Sequence, residues 1–160
     1  MTRAIATFFY VGLMPKAPGT WGSLAALPFA FVIHLLGGFW LLVICCLIAF
    51  LAGWWATLRE TAGKENHDPG EIVIDEVVGQ WITLMPVSAA LTALDDGWLP
   101  LWLLVSGFAL FRLFDITKPG LVGTMDRLNT ALGVMLDDVV AGIIAALALT
   151  GLMAVVSLVV

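Results

Sequence analysis

The stretch WGSLAALPFAFVIHLLGGFWLLVICCLIAFLAGWWAT, residues 21–57, decides the fold class. Of the acidic, basic and imidazole side chains it holds only His34. About 20 mostly apolar residues cross the hydrocarbon core of a bilayer as a helix, so this run is long enough for two crossings. Gly37-Gly38 interrupts it near its middle, and a hairpin of two spans over 21–36 and 39–57 is expected. Cys45 and Cys46 lie inside the run. Adjacent and without metal-type spacing, they read as small packing or lipid-facing residues. His34, single and mid-span, reads as a packed or hydrogen-bonded residue.

The rest of the chain extends the pattern. Its 160 residues are 61% hydrophobic and 12% charged, where a soluble domain is about 45–50% apolar and about 25% charged. The net charge of −5 argues against a nucleic-acid partner, which wants a basic surface. Upstream, Met1 to Met14 lacks a signal-peptide cleavage pattern and reads as an interfacial helix. Downstream, Arg59 to Glu76 is polar, with a turn at Asp68-Pro69-Gly70. Val77 to Leu94 reads as a third span and Asp95-Asp96-Gly97 as a tight turn. Leu99 to Phe111 makes a short fourth span from whose end Arg112 can snorkel. A second polar stretch runs from Asp115 to Asp138, and Val139 to Val160 makes a fifth span. The expected architecture is all-α: one membrane-embedded helical bundle over residues 1–160, of about five spans, with an N-terminal interfacial helix and two polar segments.

Five spans put the N-terminus, segment 58–76 and segment 112–138 on one side. Arg3, Lys16, Arg59, Lys64, Arg112, Lys118 and Arg127, every cation of the chain, then share that side. The positive-inside rule makes it cytoplasmic. Most of the acids join them, Asp95 and Asp96 excepted.

The acids carry the chemistry. Asp75 and Glu76 stand where polar chain enters the third span, Asp137 and Asp138 where it enters the fifth, and Asp115 follows the fourth. So much negative charge beside a low-dielectric slab is costly unless neutralised. Lys118 and Arg127 offset part of it. One or two hard divalent cations resolve the rest, and Mg²⁺ favours carboxylate together with phosphate oxygens. Acids also occur in first turns merely to complement the helix dipole. Two acidic doublets, a third acid and flanking cations on one face go beyond that. If helical, Arg112, Asp115 and Lys118 share a face until Pro119, suiting either phosphate binding or a plain ion-pair ladder. Lys16-Ala-Pro-Gly-Thr-Trp-Gly-Ser23 opens the first span with small and hydroxyl residues. These either expose N–H groups to an anion or let Thr20 cap the helix. His67 borders the cluster as a candidate proton shuttle.

Four blocks now stand out: Lys16-Ala-Pro-Gly-Thr-Trp-Gly-Ser23, Glu71-Ile-Val-Ile-Asp-Glu-Val-Val-Gly-Gln80, Phe111-Arg-Leu-Phe-Asp-Ile-Thr-Lys-Pro119 and Val134-Met-Leu-Asp-Asp-Val-Val-Ala-Gly142. In this order they closely resemble the phosphatidylglycerophosphatase A family of the bacterial inner membrane. The resemblance implies Mg²⁺-dependent hydrolysis of phosphatidylglycerophosphate to phosphatidylglycerol and phosphate. By position it implies Asp75, Glu76, Asp115 and Asp138 as catalytic acids, and Asp75, Glu76, Asp137 and Asp138 as metal ligands. Lys16, Thr20, Ser23, Arg112 and Lys118 fall to substrate binding, and Arg127 joins them as a nearby cation. Two departures show: Gly120-Leu-Val-Gly123 stands where the family usually has Trp-Pro-Ile, and Asn129-Thr-Ala-Leu-Gly133 replaces a Gly-rich run. Two rival functions make different predictions. A transporter needs ionisable residues at mid-bilayer, where only His34 stands. A scaffold subunit would use the small residues Ala145, Ala146, Ala148 and Gly151 for helix packing.

Overall fold

The computed structural model describes residues 1–64, 69–94 and 98–159, with side chains through Leu158. His67, Asp68 of the Asp-Pro-Gly turn, the Asp95-Asp96-Gly97 turn and Val160 lie outside the described residues. Within them the chain is all helical: α1 (Thr2–Ala6), a 3-10 turn (Val11–Leu13), α2 (Pro18–Glu60), α3 (Ile74–Ala93), α4 (Leu101–Thr117), α5 (Leu121–Asp126) and α6 (Ala131–Val159).

The α2 element is one run of helix folded back on itself. Gly38 takes φ 60° and ψ −151°, a region open essentially to glycine alone. Both arms lie along α3. On the first arm Gly22 meets Val73, the Trp81 indole N–H donates to the Ala26 carbonyl, and His34 bonds Ser88. On the second, the Phe39 N–H donates to Thr92 Oγ1, Cys46 contacts the Val78 carbonyl and Gly53 meets Ile74. Ascending and descending partners on one helix make the hairpin that the paired glycines foreshadow. His34 is buried at 4% exposure with its ring Nδ1 2.8 Å from Ser88 Oγ, a packed residue as expected.

α3 is the central helix. It packs on both arms of α2, on α4 through Gly107 and Phe111, and on α6 through Gly142. The N-terminal segment forms only one turn of α-helix. It then reverses through Phe8, Phe9 and Tyr10, all at positive φ, and Phe8 and Phe9 pack on Phe29. α2 and α6 are long and apolar enough to cross a membrane, and most of their apolar windows stay unburied, at 11% and 22% buried. α3 opens with acids, and α4 has 17 residues, short of the usual crossing length of about 20.

Two sequence expectations are corrected. Asp137 and Asp138 do not stand at a helix end. α6 already begins at Ala131, because Thr130 Oγ1 accepts the Gly133 N–H at 3.0 Å and caps it early. Nor do Arg112, Asp115 and Lys118 form one ladder. α4 stops at Thr117, and Lys118 turns into the left-handed region at φ 45°, which aims its side chain away from that face.

Candidate active site

The charged end of the bundle assembles around the start of α3. The Val73 N–H donates to the Ala6 carbonyl at 2.9 Å, which fixes the chain as it enters the helix. Asp75 and Glu76 then occupy the first turn, where their charge meets the positive end of the helix dipole. Asp75 Oδ1 accepts the Glu76 N–H at 3.1 Å.

Asp138 arrives from α6 because glycines let two backbones meet. A Cβ on Gly142 would stand 2.5 Å from the Gly79 carbonyl oxygen, and one on Gly79 would stand 2.6 Å from the Asp138 carbonyl oxygen. Gly79 lies one turn below Asp75, and Gly142 one turn beyond Asp138. The same crossing therefore brings the two carboxylates together. Thr83, another turn on, donates to the Gly79 carbonyl at 2.9 Å and reaches the Gly142 carbonyl at 3.4 Å. Small residues at such a spacing are the means by which membrane helices approach closely.

Asp75, Glu76 and Asp138 each present a ligand atom, all within 4.8 Å of one another. Asp75 and Asp138 are 6% and 3% exposed. Glu76 Oε2 and Asp138 Oδ1 are sealed from solvent without a hydrogen-bond partner. Glu76 precedes the apolar run that begins at Val77. Burial first, then the nearby charges of Asp138 and Asp115, raise its carboxyl to about 8 against the lowering contacts of Asp75 and Arg112. The donor set fits a hard divalent cation: carboxylate oxygens, water excluded, and negative charge left over.

Cations flank the acids on two sides. Arg112 Nη1 lies 2.5 Å from Asp115 Oδ2 and donates to Ser23 Oγ at 3.4 Å, while Ser23 Oγ donates to the Gly19 carbonyl at 2.9 Å. Gly19 itself lies against the Glu76 carboxylate and Arg112, so the first turn of α2 roofs the cluster with bare backbone. The Asp115 side chain is in hydrogen-bonding contact with that of Asp138. On the other side Lys118 bridges Asp126 and Asp137, the latter at 3.0 Å. Burial alone would lower the Lys118 ammonium, but the bonds and charges of these two acids outweigh it and hold it above the usual lysine range.

The structure thus gathers Asp75, Glu76, Asp138, Asp115, Arg112 and Ser23 in one network, with Lys118 and Asp137 as a second pair beside it. Thr20 lies within the first turn of α2 and does not cap it, since Ala17 holds the cap position and Pro18 begins the helix. Lys16 is exposed. Arg127 is exposed and donates to Thr124 Oγ1 at 3.3 Å. Sequence reasoning missed Asp126, the partner of Lys118, and the pair Gly79 and Gly142. The signal for that pair was present, because each glycine follows an acid by four residues.

Three clustered carboxylates, Asp75 and Asp138 buried and Glu76 partly so, form a candidate metal centre in a bundle with two helices long and apolar enough to cross a membrane. The chain matches the profile of the family described as phosphatidylglycerophosphatase A over residues 4–153. It is 39% identical over 142 residues to phosphatidylglycerophosphatase A of Haemophilus influenzae, covering 88% of this chain and 82% of the relative. It is 38% identical over 144 residues to phosphatidylglycerophosphatase A of Escherichia coli, covering 89% and 77%. A putative phosphatidylinositol-3-phosphatase of Bacteroides thetaiotaomicron is 36% identical over 143 residues, covering 87% and 85%. No solved structure matches. The chain belongs to the phosphatidylglycerophosphatase A family.

Proposed function

We propose that this chain hydrolyses phosphatidylglycerophosphate to phosphatidylglycerol and inorganic phosphate, with Mg²⁺ held by Asp75, Glu76 and Asp138. The observation that carries the reading is the carboxylate triad, two of its members buried and its ligand atoms within 4.8 Å of one another, beside Arg112. When bound there, Mg²⁺ supplies Lewis-acid polarisation of the phosphoryl group and neutralises its charge. Arg112, tethered by Ser23 and Asp115, faces the non-bridging phosphoryl oxygens and offsets charge that grows as the ester bond breaks. Lys118 does the same from the Asp137 side. Asp115, placed between Arg112 and Asp138, orients the attacking water, accepts its proton and returns it to the glycerol oxygen that leaves phosphorus. The backbone roof at Gly19, with Thr20 beside it, narrows the entrance. Lys16, exposed at the mouth, and the outlying Arg127 steer the anionic lipid toward it.

In this reading the whole chain is one phosphatase domain, a multi-pass protein of the bacterial inner membrane. Both arms of α2, α3, α4 and α6 make five crossings, and the N-terminal segment lies in the interface. The site faces the cytoplasm at headgroup depth, where a lipid phosphomonoester is presented. A transporter is disfavoured, because the acids gather at one end of the bundle and not at its middle.

The test is phosphate release from phosphatidylglycerophosphate in mixed micelles, with Mg²⁺ and with EDTA. Phosphatidylinositol 3-phosphate serves as the competing substrate. Release that needs Mg²⁺ and prefers the glycerophosphate lipid supports the reading. Preference for the inositol lipid replaces the substrate, and no release from either overturns the enzymatic role.

A further inference from the structure

Gln80 is fully buried, and neither atom of its side-chain amide has a hydrogen-bond partner among the described residues. A buried amide left unpaired carries a desolvation cost that no contact offsets. In a helix this apolar a leucine would serve packing better, so the polar group calls for another explanation.

Its place supplies one. Gln80 lies four residues after Glu76 on α3, hence on the same face one turn deeper. Helical side chains lean toward the N-terminus, which points the amide back at the carboxylate level. Glu76 in turn adjoins Arg112 beneath the Gly19 roof. Two atoms on these neighbours are also buried and unpaired, Glu76 Oε2 and Arg112 Nε. The four atoms are complementary. The Gln80 amide nitrogen is a donor for the Glu76 acceptor, and the Gln80 amide oxygen is an acceptor for the Arg112 donor. Buried groups of matching polarity at adjoining positions, none bonded to another, are the setting in which an ordered water with several partners resides.

We infer that Gln80 is a positioning residue of the site, its amide joining the metal-binding carboxylate of Glu76 to the phosphate-facing guanidinium of Arg112 through a buried water. Gln80 does not touch the reacting atoms. It holds Glu76 in the orientation that presents an oxygen to the cation, and it keeps Arg112 in register with Glu76. The inference rests on the metal reading of Asp75, Glu76 and Asp138.

The experiment compares the wild-type chain with Gln80→Leu and Gln80→Met, both apolar and of similar size, in detergent. Mn²⁺ affinity is read from water-proton relaxation, thermal midpoint is taken in EDTA, and kcat and KM are measured on the lipid substrate. Loss of a partner that orients a metal ligand typically costs about 10–100-fold in metal affinity or activity. Mn²⁺ affinity and kcat should therefore fall by that order with KM little changed. The EDTA midpoint should fall modestly and alike in the two variants, since the water-linked Glu76 and Arg112 each lose a buried partner. Wild-type Mn²⁺ affinity and kcat in both variants overturn the inference. So does a fall in kcat at unchanged Mn²⁺ affinity, which marks a packing role. A wild-type chain that binds no Mn²⁺ removes the metal reading itself, a failure distinct from that of Gln80.

Discussion

Gly142 on α6 lies directly on the main chain of Gly79 on α3, so near that a Cβ at 142 would meet the Gly79 carbonyl oxygen at 2.5 Å. This contact sets the separation of the two helices one turn from Asp75 and Asp138, and so sets the spacing of the candidate metal ligands. Backbone cannot swing aside as a flexible side chain can. Gly142→Ala should lower stability by about 1–3 kcal/mol, as overpacking does, and weaken Mn²⁺ binding as the acids separate. Gly151→Ala, on the same helix with open space around it, should be neutral or stabilising, since alanine is the better helix former. Thermal midpoints and Mn²⁺ titrations of the two variants side by side check the contrast.

The two members of the α6 acidic doublet should behave differently. Asp138 stands with Asp75 and Glu76, whereas Asp137 is engaged by Lys118. Asp138→Asn, like Asp75→Asn and Glu76→Gln, should abolish Mg²⁺-dependent phosphate release and measurable Mn²⁺ binding. Asp137→Asn should keep Mn²⁺ binding within about threefold and lose activity mainly through KM, because Lys118 is freed from its inner partner. Equal loss of Mn²⁺ binding in the two asparagine variants would refute this division of roles.

Glu76 makes metal binding depend on pH. Its carboxyl is raised from 4.5 to about 8, with burial the largest cause. The folded metal-free chain therefore holds a proton there that the unfolded chain releases. Between these values the unfolded state binds fewer protons, so stability falls as pH rises. The cation must displace the same proton, so its affinity rises with pH. In EDTA the thermal midpoint should decline between pH 5 and 8, while Mn²⁺ affinity climbs over that range and levels above it. Glu76→Gln should flatten the EDTA trend. A flat wild-type trend counts against a protonated Glu76.

Much of this was legible beforehand, and the reason differs by element. The hairpin at Gly37-Gly38 was readable because an apolar run of that length has few ways to fold and glycine marks the bend. The acids at 75, 76, 115, 137 and 138 stood out because charge beside apolar helices demands a reason, though nothing in that reason separates Asp138 from Asp137. The register between helices was not. The four-residue offset from an acid singles out Gly79 and Gly142, but nothing local announces that they touch each other, or that Lys118 leaves α4 to find Asp126. Such pairings depend on how helices cross, which is settled by packing between residues distant in sequence. The early start of α6 was hidden for another reason: Asn129-Thr130 reads as loop until Thr130 is seen to cap Gly133.

The one-ended charge distribution also predicts topology. Arg3 pairs with Glu71, Thr2 with Glu60, Arg112 adjoins Glu76, and Lys118 reaches Asp137, so these residues share one end of the bundle. Gly38 and Thr92 meet at the other end, and Trp98 packs on Phe31 near it. By the positive-inside rule the charged end is expected inside. In a Cys45→Ala, Cys46→Ala background, Lys64→Cys and Arg127→Cys should resist a membrane-impermeant maleimide in intact cells and react after lysis. Trp98→Cys should react in intact cells. Leu158→Cys decides the parity of the crossings. Five put it outside with Trp98, whereas four or six put it inside with Arg127. Labelling of Leu158→Cys in intact cells, with Arg127→Cys protected, requires an odd number of crossings between Arg3 and Leu158 once Arg3→Cys is also protected.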